Sequence, residues 1–209
     1  VIIPRVDLEM LDHLRVNPHV RRTLLMDLWK MPMFEITPHD EMAQTARYLR
    51  ESGERYHGKT PLLCGYIEVS EYDIVAGEIL PHLKDLIEDF MRLEMDVLHI
   101  HGLRNKDQYF VTSGAVRDIH HYLLNTGRRH KVSLIASGGI RLASDSQKTV
   151  QRGAEATLID IAALLALDPF AYKAVQEGKT TSEKLVNLDI DWAVERLNNQ
   201  MESRKVQIL

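Results

Sequence analysis

The sequence has a single cysteine, Cys64, among its 209 residues. One cysteine excludes an intrachain disulfide, a cysteine-ligated iron–sulfur centre and a structural zinc site built on thiolates. No apolar stretch approaches the roughly 20 residues that a membrane-spanning helix needs, and the start of the chain has no signal-peptide pattern. These absences predict a cytoplasmic protein that does not enter a membrane.

The sequence also lacks a strong excess of charge and a G-x-G-x-x-G dinucleotide motif. The 26 basic and 30 acidic residues leave a net charge of −4, so no broad attraction to nucleic acid is expected. Length and composition fit one globular domain over residues 1–209. Because the chain starts at Val1 and a helical pattern is still running at its end, we expect a fragment or one subunit of a divided protein.

Apolar runs and helical periodicities alternate along the chain. Residues 1–30 are predicted to form a helical lead-in and residues 190–209 a C-terminal helix. The predicted strands cover residues 31–36, 61–67, 96–101, 131–137 and 156–160. Helices are predicted between and after them, over residues 37–54, 81–93, 113–125, 143–152 and 161–167. Local signals place an N-cap at Thr37, the first helical residue at Pro38 and a helix end at Gly127.

Strict alternation of strands and helices predicts an α/β fold with a parallel sheet. Two architectures fit the pattern: an open doubly wound sheet, or part of a (β/α)8 TIM barrel with a helical extension at its C-terminus. A whole barrel takes about 250 residues and eight strands. The barrel in this chain would therefore be incomplete.

The sequence Ser137-Gly138-Gly139-Ile140-Arg141 follows the apolar run that ends at residue 136. Glycines at the carboxyl end of a parallel strand expose backbone N–H groups, and the N-terminus of the next helix adds a partial positive charge. Arg141 could add a bidentate contact. This pattern predicts a site for an anion, typically phosphate. The alternative is an ordinary turn in which the glycines serve geometry alone.

Two histidines, His99 and His101, lie two residues apart on the strand predicted at 96–101. Their side chains must therefore point to the same face of the sheet. His101 is nearer the carboxyl end, where the active sites of barrels lie. It could contact a ligand or join a metal site, or it could be a rim residue while His99 fills the interior. No third metal ligand can be identified, so no metal is assigned.

Residues 133–167, SLIASGGIRLASDSQKTVQRGAEATLIDIAALLAL, resemble the end of the flavin-binding barrel of the glutamate synthase family. Residues 96–129 and the C-terminal segment are similar more loosely. The resemblance implies an FMN-dependent oxidoreductase domain of glutamate biosynthesis that acts on a small-molecule substrate. It also implies an electron-donor or iron–sulfur partner subunit, and hence an oligomer or a complex. The implied FMN-binding residues are Ser137, Gly138, Gly139, Ile140, Arg141, Asp160, Ile161 and His101.

The sequence departs from the family at several places, among them the loop at residues 102–108, which replaces a glycine-rich loop of the family. Asp160 stands where the family has a glycine facing the phosphate, and the stretch Cys64-Gly65-Tyr66-Ile67-Glu68 lacks the family's flavin-contacting lysine. No catalytic residue is assigned. The alternatives are a flavin-free barrel subunit with a structural or regulatory role, and another phosphate-binding barrel enzyme acting on a phosphosugar or nucleotide.

Overall fold

A computed structural model describes residues 5–6, 8–18, 33–70, 72–75, 77–105, 108–109, 112–140 and 143–158. The helices predicted at residues 161–167 and 190–209 lie outside the described residues. So do three predicted binding residues, Arg141, Asp160 and Ile161.

Ten strands and five α-helices make up the described part of the chain. The strands are β1 (Arg5–Val6), β2 (Met33–Ile36), β3 (Leu62–Val69), β4 (Ile74–Val75), β5 (Glu78–Ile79), β6 (Val97–Gly102), β7 (Arg104–Asn105), β8 (Gln108–Tyr109), β9 (Ser133–Ser137) and β10 (Ala156–Thr157). The helices are α1 (Leu8–Val16), α2 (Met42–His57), α3 (Pro81–Arg92), α4 (Thr112–Asn125) and α5 (Ala143–Gln151).

The main sheet has six parallel strands in the order β1-β2-β3-β6-β9-β10. The remaining strands pair as two antiparallel hairpins, β4-β5 after β3 and β7-β8 after β6. Each main-sheet strand pairs with the next main-sheet strand along the chain, so the described sheet grows in one direction only. A doubly wound sheet reverses its order at a switch point, whereas a β/α barrel keeps chain order. The predicted α/β fold is confirmed, and the described strands are arranged as part of a barrel.

The two faces of the main sheet differ in chemistry because side chains alternate along each strand. One face is largely apolar and packs against the helices. Its buried side chains include Phe34, Ile36, Leu63, Ile67, Leu98, Ile100, Leu134 and Ala136, and they join Leu83, Ile87, Phe90, Ile119 and Leu123 of the helices in one cluster. Each such large side chain contributes about 1.5–3 kcal/mol by leaving water. This cluster holds the strands in place for the other face.

The opposite face carries a small apolar cluster and a group of polar side chains. Cys64, Val97 and Ile135 are buried together there, with Met33 and Leu158 packed against them. Along β6 and β9, this cluster lies nearer the strand starts and the polar side chains lie nearer the carboxyl ends. We call this side of the sheet the inner face.

Four local details differ from the sequence-based expectations. The lead-in predicted as helical contains β1, and the polar stretch after β6 contains the β7-β8 hairpin. The prediction of a cap at Thr37 is wrong, because helix α2 has Glu41 at its N-cap. The His39 imidazole accepts the Glu41 amide proton over 3.1 Å, which stabilises a turn ahead of the helix. The strand predicted at 156–160 is present at Ala156–Thr157 and does not include Leu158, while residues 159–160 lie outside the described residues.

The helix end predicted at Gly127 is confirmed, with φ at 69° in the left-handed region. Among the described residues, no helix combines the length and apolar character that a membrane crossing requires.

Candidate functional site

The turn over residues 137–140 lies at the carboxyl end of β9, as predicted. Gly138 and Gly139 both have positive φ, at 79° and 73°, a conformation that glycine adopts without steric cost. Ser137, Gly138 and Ile140 are buried and Gly139 is half-buried. The turn therefore has the backbone geometry expected of a glycine pair.

Thr112, the first residue of α4, is hydrogen-bonded to this turn through its side chain. Its buried hydroxyl lies 3.1 Å from the carbonyl oxygen of Ser137 and is also within hydrogen-bond distance of the Gly138 carbonyl. The hydroxyl thus holds two successive peptide units of the turn. Sequence reasoning missed Thr112, because no local pattern connects it to a turn 25 residues away.

Gly138 is required by packing against the neighbouring strand. A Cβ atom at this position would lie 2.3 Å from the carbonyl oxygen and 2.8 Å from the amide nitrogen of Gly102. The ends of β6 and β9 therefore meet backbone to backbone, and no side chain fits between them. This contact explains the glycine at 138 without any ligand. Close approach of an anion to the backbone of Gly138 and Gly139 stays a prediction.

A chain of hydrogen-bonded side chains crosses the inner face beside this turn. Nδ1 of His99 lies 2.7 Å from Oε2 of Glu35. Nε2 of the same imidazole lies 2.7 Å from Oγ of Ser137, and that oxygen is also 2.7 Å from Nδ1 of His101. We call Glu35, His99, Ser137 and His101 the inner polar chain. Three strands contribute to it: β2, β6 and β9.

The strand register explains why these residues meet. His101 of β6 is directly opposite Ser137 of β9, and His99 is one pleat earlier on the same face. Glu35 reaches His99 past β3, which lies between β2 and β6 in the sheet. The prediction that the two histidines share a face is confirmed. The His99 side chain is buried on the inner face, and His101 is half-buried near the carboxyl end of β6.

Arg5 of β1 balances the negative charge of Glu35, the residue at the opposite end of the inner polar chain from His101. Its Nε atom lies 2.8 Å from Oε1 of Glu35, and its guanidinium carbon lies 3.8 Å from the centroid of the Tyr66 ring. A guanidinium over an aromatic face adds a cation–π attraction. Arg5 therefore forms an ion pair with Glu35 of β2 and also contacts the Tyr66 ring of β3.

The pKa of Glu35 is lowered by its partners. Burial alone would raise it, but hydrogen bonds and charge from His99 and Arg5 outweigh the burial. Glu35 is therefore a carboxylate at neutral pH, and an acceptor only. It follows that Nδ1 of His99 carries the hydrogen that the Glu35–His99 hydrogen bond needs.

Tyr66 and Glu68 of β3 complete the surroundings of the two imidazoles. The Tyr66 ring centroid is 5.2 Å from that of His99 and 5.7 Å from that of His101. Its hydroxyl donates to Oε1 of Glu68 over 3.1 Å. Burial, followed by the Glu68 charge, raises the pKa of Tyr66 to about 12. Tyr66 is thus a neutral hydrogen-bond donor at this site.

Cys64 is a small core residue, as its sequence context suggested. Burial raises the pKa of its thiol, and the nearby Glu35 charge acts in the same direction. A thiol held protonated is a poor nucleophile. Within the described ranges, no cluster of three or more His, Cys, Asp or Glu side chains is arranged to hold a metal ion.

Residues 111–203 match the family described as a conserved region in glutamate synthase. The match covers somewhat less than half of the chain and includes β9, the turn at 137–140 and α5. The predicted resemblance to the glutamate synthase family is therefore confirmed over this segment. A comparison with curated proteins gave no match.

Three solved structures are similar to the chain at a low level. One is the Amycolatopsis orientalis BexX/CysO complex, at 16% identity and a TM-score of 0.39 over 75% of this chain and 57% of that one. Two are DHODH from Eimeria tenella, both at 15% identity over 75% of this chain. The form in complex with ferulenol has a TM-score of 0.39 over 51% of its length, and the ligand-free form 0.44 over 53%. The chain thus spans only about half the length of these structures, and the scores are too low to bear on function.

Besides Thr112, two members of this site were not predicted from the sequence, Glu35 and Arg5. Glu35 does carry a signal: it is the one charged residue in the strand Met33–Ile36, and it occupies an inward position. Arg5 carries none, because β1 has only two residues and shows no periodicity.

Proposed function

We propose that this chain is part of an FMN-dependent oxidoreductase domain that resembles glutamate synthase, with the turn at 137–140 as its phosphate site. One observation carries the proposal. Two successive glycines with positive φ lie at the carboxyl end of a parallel strand, ahead of helix α5, within the segment that matches the family. Such a turn offers backbone N–H groups to an anion.

The glycine pair would hold an FMN phosphate through its backbone N–H groups. Gly139 is half-buried, and Gly138 has no room for a side chain beside Gly102. The Ser137 hydroxyl is bonded to two imidazoles and would contribute through its backbone. FMN would supply the electron chemistry, and the protein would supply binding and orientation.

The finer parts of the proposal come from the family resemblance. Ile140, Arg141, Asp160 and Ile161 would complete the phosphate site, and His101 would contact the ligand from β6. The substrate would be a small molecule of glutamate biosynthesis. A chain with one cysteine cannot hold a cysteine-ligated cluster, so an electron-donor or iron–sulfur subunit would be a partner. A cytoplasmic location and an oligomeric or complexed state belong to the same proposal.

FMN binding tests the proposal, with visible flavin absorbance and fluorescence quenching as measurements. Gly139→Val should reduce the affinity by roughly 10- to 150-fold, because each lost N–H bond to a charged group accounts for about 1.5–3 kcal/mol. Gly127→Val is the matched control. Gly127 has a similar φ of 69° and no atom within 4 Å of an added Cβ, so the control introduces the same backbone strain away from the site.

Equal FMN affinity in both glycine variants would remove the phosphate assignment. A wild-type protein that ignores FMN but is stabilised by inorganic phosphate would instead favour another phosphate-binding enzyme. A protein indifferent to both would favour the flavin-free structural subunit.

Asp160→Gly gives a second prediction about the same site. If the Asp160 carboxylate faces the FMN phosphate, removing its charge should tighten FMN binding by about tenfold, which is roughly 1.4 kcal/mol of relieved repulsion. The effect should shrink as salt is added. Unchanged FMN affinity at low salt would show that this carboxylate points elsewhere.

A further inference from the structure

The inner polar chain has an unusual hydrogen-bond order, because one hydroxyl lies between two imidazoles. Oγ of Ser137 is 2.7 Å from Nε2 of His99 and 2.7 Å from Nδ1 of His101. A hydroxyl has one hydrogen and two lone pairs. It therefore donates to one imidazole and accepts from the other, and the protonation of each ring depends on the other.

The carboxylate fixes the order when both histidines are neutral. Nδ1–H of His99 donates to Glu35, so Nε2 of His99 must accept the hydroxyl hydrogen of Ser137. The Ser137 oxygen then accepts Nδ1–H of His101. All three short contacts are satisfied in this single arrangement.

Adding one proton reverses the order without moving a heavy atom. A proton taken up at Nε2 of His101 releases the Nδ1 hydrogen to the Ser137 oxygen, and the hydroxyl hydrogen passes to Nε2 of His99. His101 ends neutral, and His99 becomes an imidazolium held against the Glu35 carboxylate. Every bond broken is an N–H or O–H bond matched by one that forms. No oxidant, reductant or co-reactant is needed.

We propose that the inner polar chain is a proton relay, in which His101 exchanges a proton at the carboxyl end of the sheet and Glu35 stabilises the positive charge on His99. His101, nearest the carboxyl end of the sheet, is the catalytic group of the relay. His99, Ser137 and Glu35 position His101 and determine whether it carries a proton. A substrate for such a relay is a small molecule whose carbonyl oxygen or imine nitrogen takes up a proton during the reaction.

The charges around the relay favour this direction of transfer. Glu35 is the nearest anion to His99, and burial of both side chains strengthens their attraction. Arg5 contacts the other carboxylate oxygen of Glu35 and moderates its negative charge. Tyr66 is neutral, and Glu68 beside it is exposed and accepts the Tyr66 hydroxyl. The inner imidazole is thus the better place to store a proton.

The geometry argues against Ser137 acting as a nucleophile instead. Ser137 is only 4% exposed, and its oxygen is engaged by two nitrogens at once. We expect no labelling of the wild-type protein by a fluorophosphonate probe, which reports activated serines. Labelling at Ser137 would overturn the relay, because a serine that transfers its proton to a single base is a different device.

Histidine titration by NMR tests the relay directly. In wild-type protein labelled with nitrogen-15 at histidine, the signals of His99 and His101 should each respond to both titration steps, since interacting groups share macroscopic pKa values. Ser137→Ala should separate them into two independent single steps. His130→Gln, at an exposed position, is the control and should change neither.

The inference does not depend on FMN, because the protein without cofactor contains all four residues. Independent titration of His99 and His101 in the wild type would overturn it, and so would a Ser137→Ala variant with unchanged titration of both. If Ser137→Ala does not fold by circular dichroism, His101→Gln replaces it and should leave His99 with a single step. Persistence of two steps for His99 in that variant would also count against the relay.

Discussion

Replacing Gly138 with alanine is expected to lower the free energy of unfolding by about 3–4 kcal/mol. Two costs add together. An alanine with φ near 79° pays about 1–2 kcal/mol for the left-handed conformation. Its Cβ would also lie 2.3 Å from the Gly102 carbonyl oxygen, and backbone cannot move aside as a flexible side chain can. For a chain of this length the loss corresponds to a fall of roughly 10 °C in Tm.

Gly127→Ala is the matched control for this loss. Gly127 has a φ of 69° and an added Cβ there would meet nothing within 4 Å, so only the conformational cost of about 1–2 kcal/mol applies. Chemical unfolding in urea, followed by circular dichroism, compares the two variants. If Gly138→Ala loses no more stability than Gly127→Ala, the close approach of β6 and β9 at this point is wrong.

The expected loss of stability in Gly138→Ala reflects a packing role of this glycine. The sequence of a glycine pair alone cannot distinguish packing from ligand binding. The SGG pattern predicted a turn after a strand, and the structure confirms that turn. It left open whether the glycines serve a ligand or the geometry of the turn, and the Gly102 backbone provides a geometric reason at 138. That contact joins residues 36 positions apart in the sequence, so no local reading could show it. Contact of a ligand with the backbone of either glycine stays a prediction.

The strands show how much of the fold can be predicted from the pattern of apolar residues along the sequence. Runs such as Leu62–Val69 and Ser133–Ser137 were predicted within a few residues, because a buried parallel strand is apolar on its helix-facing side over its whole length. β1 was not predicted, since its two residues are too few to show alternation and its pairing with β2 is what defines it. Strand order, and hence the choice of barrel over doubly wound sheet, likewise depends on pairings between distant segments.

The inner polar chain was half visible in the sequence. His99 and His101 on one strand face followed from their spacing. Their partners did not, because Glu35 is 64 residues from His99 and Ser137 is 36 residues from His101. A charged residue at an inward position of a short strand is nevertheless a usable signal. Burying a carboxylate is costly unless a partner is present, so Glu35 in Met33–Ile36 implies a buried cation or donor opposite it.

Glu35→Ala is expected to lower the free energy of unfolding by about 3 kcal/mol at neutral pH, because removing one member of a buried charged pair leaves the other without compensation. Glu35 is only 4% exposed and contacts both His99 and Arg5. Glu35→Gln keeps the side-chain volume and one acceptor oxygen. Its amide NH2 group replaces the other oxygen, so a donor of Arg5 or His99 would face a second donor instead of an acceptor. It should therefore lose less, about 1–2 kcal/mol.

The pH dependence of stability distinguishes the charge of Glu35 from its packing. Its folded-state pKa is lowered, so its contribution to stability is complete above the ordinary glutamate pKa of about 4.3 and is lost as pH falls through the lower folded value. Wild-type protein should thus lose its advantage over Glu35→Gln as the pH falls below about 4. Urea unfolding of both proteins across this range measures the difference. A constant gap between them would mean that packing alone, and no charge on Glu35, holds His99 and Arg5 in place, and the cation that the relay stores on His99 would then have no counter-ion.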